Sequence, residues 1–125
     1  MKAGKANRVG GELEGRTLRF AVAVLRFAET LPNTTATRVV TSQMLRAATS
    51  VGANYREANR AESRADFAHK VALALKEAAE TEYWLELSAA TQLGDVNTAV
   101  ELRQEAGELI AIFTTIRHKA TQQSP

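Results

Sequence analysis

The chain has 125 residues, 45% of them hydrophobic and 24% charged, with a formal net charge of +2. One domain fills that length. The absence of cysteine excludes disulfides, cysteine-based zinc sites and thiol catalysis. No apolar run of about 18 residues is present to span a membrane, and the N-terminus lacks an apolar leader core, so a cytoplasmic setting is expected. The charge is uneven: residues 1–61 carry a net +6 and residues 62–125 a net −4. Such asymmetry suits a nucleic-acid face or the association of complementary surfaces, and equally a set of solvated helix faces that differ in sign.

Residues 1–12 hold three glycines together with Lys2, Lys5 and Arg8 and show no apolar period. They read as a flexible basic tail. From there on apolar residues recur at the 3.6-residue period of helices, and the alternation of strands is missing. The first helix is expected from about Leu13 to Leu31, with Leu13, Phe20, Val24, Phe27 and Leu31 on one stripe. Pro32 ends it, and the run Asn33-Thr34-Thr35 supplies a cap for the next. The second helix is expected from about Ala36 to Arg60. Val40, Met44, Ala47, Val51, Tyr55 and Ala58 form its stripe, and Arg38, Arg46, Arg56 and Arg60 lie opposite.

Ser63 and Asp66 have the spacing of a capping box, which starts a third helix running from Arg64 to about Leu93. Gly94 suits the left-handed position after its end. Asp95 caps a fourth helix reaching about Lys119, with Ala99, Leu102, Ala106, Leu109, Phe113 and Ile116 on its stripe. Residues 120–125 read as a polar tail. Four helices with short connections pack most simply as an all-α, antiparallel up-down-up-down four-helix bundle over residues 13–119.

The third helix carries more apolar surface than one core needs. Phe67, Val71, Ala74, Ala78, Thr81, Leu85 and Ala89 make one face. Leu73, Tyr83, Trp84 and Leu87 lie well around the helix. A cluster holding the only tryptophan points to an interface with another copy of the chain, the alternative being a wide core that buries this helix on two sides.

Catalytic and metal chemistry find little support. A di-metal bundle needs two Glu-x-x-His pairs; here Asp66 precedes His69 at that spacing, but Thr115 precedes His118. Glu77, Glu80 and Glu82 read as surface carboxylates, with Lys76 and Glu80 as i,i+4 neighbours. Neither glycine-rich phosphate-loop motif occurs. No catalytic residue, cofactor or metal is therefore expected. The arginines of the second helix and the basic tail can neutralise phosphates.

The stretch from Gln43 through Arg46-Ala47-Ala48-Thr49-Ser50-Val51-Gly52-Ala53-Asn54-Tyr55 to Ala58 has a familiar signature. It continues in Ala61-Glu62-Ser63-Arg64-Ala65-Asp66-Phe67 and in Lys76 to Leu85. This pattern resembles the bacterial four-helix-bundle family encoded by intervening sequences in 23S ribosomal RNA genes, to which the accessory variability proteins of diversity-generating retroelements are related. The resemblance spans about residues 13–118 and is most specific from Gln43 to Leu85. It implies the four-helix bundle already derived and a homo-oligomer, a ring of five bundles. It further implies association with RNA or DNA and, for the retroelement relatives, with a reverse transcriptase as protein partner. It carries over no catalytic residue.

The signature also has a physical reading. Small Ala47, Ala48, Gly52 and Ala53 let neighbouring helices approach. Asn54 and Glu80 are expected to form a buried polar pair fixing the register of the second and third helices. The functional expectation is a non-enzymatic, self-assembling, nucleic-acid-associated scaffold. Its phosphate contacts are Arg38, Arg46, Arg56 and Arg60, and its interface is Leu73, Tyr83, Trp84 and Leu87. A protein-interaction or structural ring without nucleic-acid affinity is the alternative.

Overall fold

A computed structural model describes residues 2–122, with side chains described from Gly10 onward. Four α-helices follow in order: α1 (Lys2–Glu29), α2 (Thr35–Ala58), α3 (Arg64–Ala90) and α4 (Val96–Gln122). They pack as the expected all-α four-helix bundle. Pairing is closest between α3 and α4 and between α2 and α3, and sparsest between α1 and α4.

The expected stripes form the core. Phe20, Val24, Met44, Val51, Val71, Leu85, Leu109 and Phe113 are all buried. Within it the rings of Tyr55 and Phe113 lie 5.5 Å apart and tilted by 52°. Buried hydroxyls are satisfied along their own helices: Thr17 donates to the Glu14 carbonyl, Thr81 to Glu77 and Ser88 to Trp84. Among the described residues, no buried side-chain nitrogen or oxygen lacks a hydrogen-bond partner.

The helix starts follow local capping chemistry. The Thr34 hydroxyl accepts from the Thr37 amide at 3.1 Å, Ser63 from Asp66 at 3.0 Å, and the Asp95 carboxylate from Thr98 at 2.9 Å. The Thr98 bonds hold the Asp95 carboxyl below its ordinary range.

Several boundaries differ from the sequence reading. The backbone of α1 is helical from Lys2, so Gly10, Gly11 and Glu12 belong to the helix rather than to a tail. Low glycine propensity suggested a tail, yet each helical glycine costs only about 1 kcal/mol and tertiary packing outweighs it. The side chains of residues 1–9, including Lys2, Lys5 and Arg8, lie outside the described residues. At the other end α4 continues to Gln122 and buries Ala120, so residues 120–122 are helix; residues 123–125 lie outside the described residues.

Helix α3 stops at Ala90, three residues before the expected Leu93. Gln92 takes the left-handed conformation, at φ 56°. Its amide bonds the Ala89 carbonyl and the Leu93 amide bonds the Ser88 carbonyl, which is the hydrogen-bond pattern of a Schellman motif. Gly94, the second residue after Gln92, is also left-handed, at φ 70°. It has a second constraint, since a Cβ there would lie 2.5 Å from Leu31 Cδ2 and 3.1 Å from Phe27 Cε1.

Candidate functional site

The antiparallel register of α2 and α3 is set by two ion-pair groups. Arg46 reaches across to Glu77 and Glu80, and Glu57 lies 3.8 Å from Lys70. Trp84 Nε1 also donates to Glu80, at 3.1 Å. The bond from Arg46, then that from Trp84, hold the Glu80 carboxyl below its ordinary value. The same Glu80 bond raises the Arg46 guanidinium.

This arrangement overturns the expected Asn54–Glu80 pair. The Asn54 amide donates to the Ser50 carbonyl of its own helix at 2.8 Å. The register that joins Arg46 to Glu80 puts Asn54 level with Ala72 and Leu73, where no carboxylate is present. The close approach expected of the small residues does occur at Gly52, where a Cβ would lie 2.9 Å from the Thr17 hydroxyl. Ala53, by contrast, faces solvent.

The four expected phosphate contacts do not form one patch. Arg46 is occupied by two carboxylates. Arg38 hydrogen-bonds Asn33 and Thr35 at the start of α2. Arg56 lies 3.8 Å from Glu14, and Arg60 is exposed without an ion pair among the described residues. Arg38 and Arg60 are 22 residues apart in sequence, about 33 Å along a helix axis.

A different grouping replaces them. Arg16 with Glu105 and Glu108 lies where the two ends meet. Apart from that group, one end of the bundle, built from residues 10–18, 49–76 and 110–122, carries seven Lys or Arg against five Asp or Glu. The other end, from residues 19–48 and 77–109, carries five against seven. Antiparallel packing thus turns a difference between chain halves into a difference between bundle ends. At the basic end Arg117 and Lys119 are exposed and have no ion pair among the described residues.

Of the expected interface residues, only Tyr83 stands well out, at 56% exposure. Trp84 and Leu87 are half-buried and pack against the core, and Leu73 is half-buried. Tyr83 meets Trp84 edge-on with centroids 5.1 Å apart. The two-sided burial of α3 therefore accounts for much of its second apolar set.

A stripe that the sequence reading passed over lies on α1: Leu18, Val22 and Leu25 are 54%, 47% and 37% exposed. Their i, i+4, i+7 spacing was the available signal. It was masked because the neighbouring stripe already explained the helix.

A groove of about 800 Å³ separates α1 from α4, with Leu13, Tyr55, Ile112 and Ile116 among its lining residues. Burial raises the Tyr55 phenol above its ordinary value. At one end Arg16 bridges the two helices, donating to Glu105 at 2.7 Å and to Glu108 at 2.8 Å. These bonds, led by that to Glu105, raise its pKa further. Among the described residues, no three His, Cys, Asp or Glu side chains gather as a metal site, and no helix is long and apolar enough to cross a membrane.

No curated protein matches the chain. Among solved structures it is similar to a protein of unknown function from the S23 ribosomal protein family of Bacteroides thetaiotaomicron. The two are 39% identical, the match covers 83% of this chain and 96% of that one, and the TM-score is 0.77. The family model described as 23S rRNA-intervening sequence protein matches residues 14–115. With four helices in the bundle arrangement and a match over most of its length, the chain belongs to the 23S rRNA-intervening sequence protein family.

Proposed function

We propose that the protein is a non-catalytic, self-assembling four-helix bundle that serves as a scaffold on nucleic acid, RNA foremost. The observation that carries this reading is the segregation of charge between the two ends of the bundle. A phosphate backbone is attracted to the basic end and repelled by the acidic one, which fixes its orientation. Arg60 and Arg117 are the principal contacts there, because neither breaks a protein ion pair to reach a phosphate. Arg46 contributes little, being held by Glu77 and Glu80.

Self-association draws on the exposed Leu18, Val22 and Leu25 stripe of α1, with the exposed Tyr83 of α3. Burying a contiguous apolar stripe against another copy removes it from water. A ring of five bundles, in the cytoplasm, is the proposed assembly. The family's description refers to 23S rRNA intervening sequences, which agrees with an RNA setting.

The test is a titration of labelled structured RNA, single-stranded RNA and duplex DNA across a salt series. Log affinity is expected to fall linearly with log salt, with the slope of several phosphate contacts. The double variant Arg60→Glu/Arg117→Glu should flatten that slope and weaken binding by about tenfold or more, whereas Arg46→Met should leave the slope nearly unchanged. No binding even at low salt overturns the nucleic-acid reading and leaves a protein-interaction ring.

A further inference from the structure

The α1 stripe has a counterpart on α4. Val96 and Val100, one turn apart, are 38% and 40% exposed. Arg16, bonded to Glu105 and Glu108, fixes the antiparallel offset of the two helices. That offset puts Leu25 level with residues 96–99 of α4 and Val22 level with residues 99–102. The two apolar edges therefore occupy one layer of the bundle, about 10 Å deep. Tyr83 borders the same layer: Glu82 lies beside Gly107, which puts Tyr83 level with Leu18. Exposed Val39 is outside it, since the approach of Gly52 to Thr17 sets Val39 level with Thr30, past the end of α1.

The two edges differ in charge. Arg19 flanks the α1 stripe and Glu101 flanks Val100; both are exposed and have no ion pair among the described residues. Arg19 is level with residues 102–105, within about one turn of Glu101. Contact of α1 with α1 of a second copy would bring two unpaired Arg19 guanidiniums to one interface. Contact of α4 with α4 would do the same with two Glu101 carboxylates. Only α1 against α4 joins opposite charges. A ring formed by rotation about an axis along the bundle holds every copy at one height, so the surfaces that meet share a layer. It also uses two different surfaces, because a self-complementary one stops at a pair.

We infer that the Leu18, Val22 and Leu25 stripe of one copy packs on the Val96 and Val100 edge of the next, head to tail, with Arg19 facing Glu101. This pairing rests on the self-assembly proposed above and assigns the two surfaces that carry it.

The chain has no cysteine, so introduced thiols report the contact directly. Under mild oxidation Val22→Cys/Val100→Cys should form a ladder of covalent multimers on a non-reducing gel, while each single variant runs as one chain. Arg19→Glu and Glu101→Arg should each weaken association by about fivefold in sedimentation, and the two together should recover most of that loss with helicity unchanged. Cross-linking by Val22→Cys alone would show an α1–α1 pair and overturn the inference while self-assembly stands. So would an assembled double-cysteine variant that forms no ladder, or charge variants whose effects simply add. A parent chain that sediments as a single bundle at every concentration overturns the self-assembly reading itself, and this contact with it.

Discussion

Glu80 shows how one side chain takes its role from the register around it. Arg46 reaches it from α2, and Trp84 from the next turn of its own helix. Both bonds favour the carboxylate, so the folded-state pKa lies below the ordinary 4.5. A carboxyl depressed by folding contributes stability that is present above its unfolded pKa and is lost as pH falls through the folded value. Glu80→Gln should therefore lower the thermal midpoint at pH 7 and differ less from the parent protein at about pH 3. Equal differences at both pH values would contradict the pairing. Gly52 makes the complementary case for packing. Glycine in a helix interior ordinarily weakens it, yet Gly52→Ala should destabilise, by roughly 1–3 kcal/mol, because the added methyl meets the Thr17 hydroxyl. Thr17→Ala in the same chain should recover part of that loss, which a double-mutant cycle of denaturant midpoints will read as coupling between the two sites.

At the scale of the element, the end of α3 separates two left-handed residues that serve different purposes. Gln92 closes the Schellman hydrogen bonds, and any residue tolerating positive φ can take its place. Gln92→Gly should stabilise the protein by up to about 1 kcal/mol through relief of the left-handed strain. Gly94 is held by its backbone and by the close approach of Leu31 and Phe27. Gly94→Ala should therefore cost roughly 2 kcal/mol or more. If the two substitutions shift the denaturation midpoint in the same direction, this account of the turn fails. The cap of α3 was legible because Ser63 and Asp66 act within four residues of one another. The end of α3 was not, because Leu93 continues the apolar pattern while its backbone has already left the helix.

For the whole molecule, the decisive feature is that helices packed antiparallel bring distant charges to one end. Arg56 comes from α2, Arg60 from the turn that follows it, Lys70 from α3 and Arg117 and Lys119 from α4. No linear window of sequence contains them together. The same packing leaves the Leu18, Val22 and Leu25 face of α1 uncovered by the other helices. Val22→Glu should reduce the sedimentation coefficient towards that of a single bundle without lowering helical content; an unchanged large species would place the contact elsewhere. Core substitutions should act differently. Phe113→Ala, at the ring contact with Tyr55, should lower stability by about 3–5 kcal/mol through the cavity it leaves, with helicity lost in one cooperative transition.

Periodicity and capping are local properties, so the four helices, their core stripes and the starts of α2, α3 and α4 could be read from spacing alone. Val24, Met44, Ala78 and Leu109 are buried where their periods put them. The partners of polar side chains depend on the axial offset between helices, which spacing within one helix does not contain. That offset gave Glu80 to Arg46 and left Asn54 bonded to its own backbone. It also split the expected arginine set, collected the basic end, and opened the trough between α1 and α4. Helical period settles which face of each element avoids water; which charges and cavities then meet is decided only when the faces are brought into register.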